Sequence, residues 1–305
     1  MKIVTLLTTV TALSSILLAP SAYSQIVVYN FDSTVADYNS KFTNGTNAAP
    51  SGMALASGTG LSGTAGLSPQ TGGGTFARVF SDSAYPGSSP TMNTGIFLKI
   101  DTNAITEGNT DIGLGLFGHT VINTAASPDA ESNGLFNTSR TNFNPNNPSG
   151  FMYGFVATLN HTTAMNDGAF TLSLTNRLKN NGTNGTFLSS SQFTVTPGNW
   201  YYMELALVNN ASVYAATTTL YNSSNAGVIG TSITSTTISS QVNAAFAGDA
   251  TIYTAFGSRN DSRGAGTMGL AAWDNLTYQI PEPSTYAMIM AGVCALLGIV
   301  RKRNR

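Results

Sequence analysis

Catalysis needs acids, bases, nucleophiles or metal ligands, and this sequence is short of all of them. It contains two histidines, His119 and His161, one cysteine, Cys294, and four glutamates, Glu107, Glu131, Glu204 and Glu282. The histidines have no cysteine partners at zinc-ligand spacing, and no Gly-x-Ser-x-Gly turn accompanies them to present a serine nucleophile. A sugar-cleaving site requires two carboxylates facing one bond. Glu204, however, stands alone between Met203 and Leu205, and the spacing of Glu107 and Asp111 suits a turn. The run Gly72-Gly73-Gly74 leads into a strand-like segment without the Lys-Ser/Thr of a phosphate loop. The sequence therefore predicts no catalytic residues and no enzyme.

What it does hold is a set of flat rings. Trp200 and Trp273 are the only tryptophans, and Tyr201 and Tyr202 adjoin the first of them. An exposed ring of this kind stacks against the apolar face of a pyranose, while Asn and Thr side chains serve its hydroxyls. These four residues are the sequence's candidates for sugar stacking. The same rings beside a buried strand equally serve as core.

The composition surrounding them is unusual. Charged residues make up 9% of the chain, against about a quarter in an ordinary soluble domain, while 41 Thr, 32 Ser and 29 Asn take up the polar share. Net charge is −1, and no cluster of Lys and Arg precedes the last five residues. Such a chain has little with which to neutralise a phosphate backbone, which excludes nucleic acid as a partner. The hydrophobic fraction of 42% is too high for disorder and sufficient for a large core.

Between residues 25 and 279 the pattern has period two. Phe170, Leu172 and Leu174 alternate with Thr171, Ser173 and Thr175; Ile112, Leu114 and Leu116 alternate with Gly113, Gly115 and Phe117. Ile96 to Ile100, Phe151 to Leu159 and Tyr201 to Leu207 repeat the scheme, and further strands are predicted at 26–32, 75–80, 192–196, 213–221, 251–257 and 266–279. Turn pairs such as Asp167-Gly168 and Pro197-Gly198 lie between them. One helical turn is predicted at 238–247, an irregular segment at 44–74 with a strand around 53–61, and a long loop at 123–150. The whole reads as an all-β, antiparallel two-sheet jelly-roll sandwich in one domain, 25–279.

The segment Pro197-Gly198-Asn199-Trp200-Tyr201-Tyr202-Met203-Glu204-Leu205, its hairpin through Asn209-Asn210 to Tyr221, and the closing Ala272-Trp273-Asp274-Asn275-Leu276-Thr277 resemble concanavalin A-like and laminin G-like jelly rolls. In many carbohydrate-binding jelly rolls the terminal strands are neighbours that share a structural calcium. The resemblance thus implies Asp32, closing the first strand, and Asp274, in the last, as candidate calcium ligands.

The two ends carry addresses. Met1-Lys2, an apolar run from Ile3 to Leu18 and Ala22-Tyr23-Ser24 form a signal peptide, residues 1–24, with signal peptidase expected to cut between Ser24 and Gln25. At the other end, residues 280–305 comprise Pro281-Glu282-Pro283, an uncharged run from Tyr286 to Val300 that predicts a single, short transmembrane helix, and Arg301-Lys302-Arg303-Asn304-Arg305. This three-part order resembles the PEP-CTERM sorting signal of Gram-negative bacteria. The resemblance implies a handle recognised by a membrane-embedded exosortase, a transient hold in the inner membrane, and a final place at the cell surface or in the extracellular matrix.

With the addresses removed, 13 acids and 8 bases remain, a charge of −5 on a surface of hydroxyls and amides. The expectation is an exported, exosortase-sorted, non-catalytic surface or matrix protein associated with extracellular polysaccharide. An extracellular glycan hydrolase with an unrecognised site and a self-associating matrix component are the alternatives.

Overall fold

The computed structural model describes residues 23–44, 53–69, 75–80, 85–100, 110–118, 153–161, 168–178, 184–260 and 270–281. Among these residues the chain forms β1 (Tyr23–Tyr29), β2 (Phe42–Asn44), β3 (Met53–Ala56), β4 (Gly66–Pro69), β5 (Thr75–Phe80), β6 (Thr91–Ile100), β7 (Thr110–Phe117) and β8 (Gly154–His161). It continues with β9 (Ala169–Arg177), β10 (Asn184–Ser189), β11 (Phe193–Thr194), β12 (Trp200–Asn210), β13 (Val213–Ser223), β14 (Ile229–Val242), β15 (Tyr253–Asn260) and β16 (Leu270–Pro281). Two short helices interrupt them, α1 (Val35–Lys41) and α2 (Ala244–Ala247).

The strands make two eight-stranded antiparallel sheets. The first runs β14-β13-β12-β6-β16-β4-β3 with β1 beside β16, and the second runs β10-β9-β8-β7-β15-β5-β2 with β11 beside β9. The period-two pattern explains the sandwich: Ile112, Leu114 and Leu116 of β7 and Phe155, Ala157 and Leu159 of β8 meet Ile96 and Leu98 of β6 and Met203 and Leu205 of β12 in one buried core. The sandwich belongs to a compact unit of residues 27–278. Residues 1–26 with 279–305 make a second unit, of which the described parts are the start of β1 and the end of β16.

Three local expectations change. Residues 238–242 continue β14, because the β-branched Ile238 and Val242 fit a pleated strand better than a helix. The helical turn is confined to Ala244–Ala247, capped by the Asn243 side chain, which accepts from the Phe246 N–H at 3.2 Å. The irregular 44–74 segment holds a small hairpin of β3 and β4, and the unexpected α1 begins at Thr34, whose hydroxyl accepts from the Asp37 N–H. The β12–β13 hairpin turns at Ala211-Ser212, both at positive φ, with the Asn209 side chain accepting from the Ser212 N–H at 2.9 Å.

Gly95 in β6 marks a close approach. Tyr202 on the neighbouring strand lies across it, its hydroxyl 2.8 Å from Thr277 Oγ1, and a Cβ on Gly95 would fall 1.9 Å from that hydroxyl oxygen. Gly95→Ala is expected to lower stability by about 1–3 kcal/mol, since the ring must shift. Chemical denaturation checks this, and a wild-type midpoint in the variant would refute the packing described.

Candidate functional site

The four rings expected to stack on sugar are used for packing. Trp273 is fully buried in the main core, edge-on to Phe256, and Tyr201 is buried with its hydroxyl donating to the Thr196 carbonyl at 3.0 Å. Trp200, 4% exposed, and Tyr202 lie on the outer side of the first sheet in a small cluster with Leu61, Phe97 and Ala272. None of the four has a face free for a pyranose. For Trp200 and Tyr202 the reason is Leu61, carried over the sheet by the loop between β3 and β4.

That loop is where Asp32 and Asp274 act, and the structure does bring the two near one another. Asp274 Oδ2 accepts from the Leu61 N–H at 2.7 Å, and its Oδ1 from the Asn275 N–H at 2.7 Å, while Asp32 Oδ1 accepts from the Ala65 N–H at 2.9 Å. The Thr64 hydroxyl sits 3.5 Å from Asp274 Oδ2. Gly60 leaves room for this carboxylate, since a Cβ there would lie 2.7 Å from Oδ2. Burial pushes the Asp274 carboxyl up to about 6; the charge of Asp32 adds to the rise and the N–H donors of Leu61 and Asn275 oppose it. The pair is a clamp on the loop. Calcium takes six to eight oxygens, whereas no group of three metal-ligating side chains occurs among the described residues and both Asp274 oxygens face N–H hydrogens. The described residues therefore do not fit a calcium site.

The other acids and bases also have structural partners. Glu204 accepts from the Tyr221 hydroxyl at 3.1 Å; its burial raises its pKa, and that hydrogen bond opposes the rise. His161 is buried, with Nδ1 2.7 Å from the Ala169 carbonyl. Glu107, His119, Glu131, Glu282, Pro283 and Cys294 lie outside the described residues, as do residues 1–22 and the 123–150 segment. Ser24 and Gln25 fall in β1, and Pro281 ends β16. Among the described residues no helix is long and apolar enough to cross a membrane.

One polar constellation stands apart, on the outward face of the second sheet. The core takes Phe155, Ala157 and Leu159 from β8 and Phe170, Leu172 and Leu174 from β9, so Thr158, Asn160, Ser173 and Thr175 face the other way. Asn160 Nδ2 donates to Asp111 Oδ1 at 2.5 Å, Ser173 Oγ donates to Asn160 Oδ1 at 2.7 Å, and Ser189 Oγ lies 3.0 Å from Ser173 Oγ. The chain of bonds crosses four strands, β7 to β10. Beside it, Gly257, Gly113, Thr158 and Ser173 are opposite one another in register, a line of small residues. Thr158 Oγ1 and Thr175 Oγ1 are buried on this face without a hydrogen-bond partner. Ser173 is buried like Thr158 and Thr175, Asp111 and Asn160 are half-buried, and Ser189 and Phe187 are exposed at the β10 end.

The sequence did not predict this row, because its four members come from different strands and meet only through strand register. Its signal was present in the polar half of the alternation, Thr171-Ser173-Thr175.

No protein-family model matches the sequence, and no curated protein does. Solved structures do match. A mutant of the Emp46p carbohydrate recognition domain aligns at a TM-score of 0.50 with 8% identity, over 84% of this chain and 95% of that one. The chain shares the fold of that domain, here a sandwich of two antiparallel sheets. A legume lectin-like domain from Entamoeba histolytica aligns at 0.45 with 8% identity, over 83% and 92%, and alginate lyase vAL-1 from Chlorella virus at 0.44 with 10% identity, over 74% and 88%.

The clamp has a pH signature. A carboxyl whose pKa rises on folding contributes stability that is full below its unfolded value near 4 and is lost as pH rises through about 6. Asp274→Asn cannot titrate. The variant's melting temperature relative to wild type is therefore expected to improve between pH 4 and 7, and a difference that stays constant across this range would contradict the buried carboxyl. Melting in chelator and in added calcium is expected to coincide, and a calcium-dependent rise would overturn the clamp as the whole role of the pair.

Proposed function

We propose that this chain is an exported, non-catalytic protein that binds extracellular polysaccharide through the outward face of its second sheet. The observation that carries the reading is the row Asp111–Asn160–Ser173–Ser189, joined by hydrogen bonds, in which Asp111, Asn160 and Ser189 are partly or fully exposed and the buried Ser173 ties Asn160 to Ser189 from beneath. A carboxylate, an amide and hydroxyls fixed at strand spacing are the groups that exchange hydrogen bonds with sugar hydroxyls, and their mutual bonds hold them in place before a ligand arrives. The lectin-like fold supports this reading. The Thr-, Ser- and Asn-rich composition is also in keeping with hydrated, sugar-rich surroundings.

The reading includes the two ends. Signal peptidase removes residues 1–24 at Ser24-Gln25, the tail 280–305 holds the chain in the inner membrane, and an exosortase acting at Pro281-Glu282-Pro283 passes it to the cell surface or matrix.

A panel of neutral and acidic polysaccharides tests the site. Retention without release of products is expected, with Asn160→Ala weakening binding about tenfold, as for one or two lost hydrogen bonds, and lowering the melting temperature somewhat because Asp111 and the buried Ser173 lose their partner. Failure of the wild type to bind any member, or turnover of one, would refute the proposal. Replacing Pro281, Glu282 and Pro283 by Ala is expected to leave full-length chain in the inner membrane of an exosortase-bearing host, and unchanged export would refute the sorting role.

A further inference from the structure

Among the described residues the first sheet ends at β14 (14 residues), which pairs with β13 on one side. The free side of such a strand offers a row of N–H and C=O groups, which most proteins guard with lysine, proline or a short length. None of those guards is here. Ile229–Val242 contains no charge and no proline, eight of its positions are exposed, and Glu204 is the sole charged residue between Trp200 and Gly248. Bulges do bend it near its ends, where register shifts at Tyr214/Ala216 and Leu220/Tyr221. Between them Thr234 to Ile238 pair without a break against Leu220 to Ala216.

We infer that β14 is a self-pairing edge, and that its partner is β14 of a second copy of this chain, antiparallel about a two-fold axis centred near Thr236. An edge strand usually resists its own copy because like charges meet across the axis; here Ser and Thr meet Ser and Thr. A two-fold operator gives both copies the same contacts and closes the assembly at two, extending the first sheet from eight strands to sixteen. A ladder over most of β14 supplies on the order of ten hydrogen bonds, the number found across a stable interface of standard size. Ser235 and Thr237 face outward, where their hydroxyls meet those of Thr219 and Thr217 at 3.1 and 2.9 Å, so changing them leaves the core untouched.

Sedimentation equilibrium of the purified full chain provides the test. A dimer is expected for wild type, and monomer for the double variants S235K/T237K and S235E/T237E, each with wild-type melting behaviour. Mixing the two variants is expected to restore a dimer, since about this axis position 235 of one copy faces 237 of the other. Val208→Lys, on the same face but two strands from the edge, is expected to remain dimeric. A monomeric wild type, lysine variants that stay dimeric, or a mixture that stays monomeric would overturn the inference.

Discussion

Everything in this molecule depends on burying every second side chain between two sheets. A chain with so few charges has few ion pairs to draw on, and the described body contains no cysteine with which to cross-link itself. Cohesion comes from the apolar core and from backbone ladders, supplemented by aromatic contacts such as Tyr29, Phe31, Phe42 and Phe256, which bind the first strand's end to β2 and β15. Because alternation commits one half of each strand to the core, it leaves the other half for the two outward faces. Those halves have been put to different uses.

On the first sheet, part of the outward face is closed. The β3–β4 loop carries Leu61 over Trp200, Phe97 and Tyr202, and Asp274 with Asp32 holds that loop by its backbone N–H groups. The carboxyl of Asp274 is buried to do this, which is why its proton is bound more tightly than usual. Further along the same sheet, β13 and β14 are left as hydroxyl-bearing strands ending in an uncharged edge. On the second sheet the outward face bears instead a fixed polar row, in the company of glycines that keep its floor low. As proposed, ligand and second copy address different sheets, although β14 itself packs on β9, where the Thr236 hydroxyl donates to the Leu172 carbonyl at 3.2 Å.

Much of the fold was legible in the sequence because period two is a strong signal over long strands: β6, β7, β8, β9 and β12 appear where alternation placed them. The signal failed where residues were ambiguous. Ile238 to Val242 joins β14, since branched and hydroxyl side chains carry little helical preference, and α1 forms where no helix was predicted, with Thr34 and Asp37 at capping distance. The site was less legible. Proximity of Asp32 to Asp274 was implied by the resemblance to carbohydrate-binding jelly rolls, but the loop donors that occupy them come from a segment without periodicity. Trp200 and Tyr202 are packed rather than exposed for the same reason, as the cover over them is that loop. The row from Asp111 to Ser189 depends on the register of four strands, which a single sequence does not reveal.

The central claim is that a glycan lies on the outward face of the second sheet. Hydrogen exchange of the full chain, measured with and without a polysaccharide it retains, tests that claim most directly. The account expects new protection in β7 to β10, strongest around Asp111, Asn160 and Ser189, with β12 to β14 unchanged. Protection confined to β12 to β14, or to the β3–β4 loop over Trp200, would contradict it.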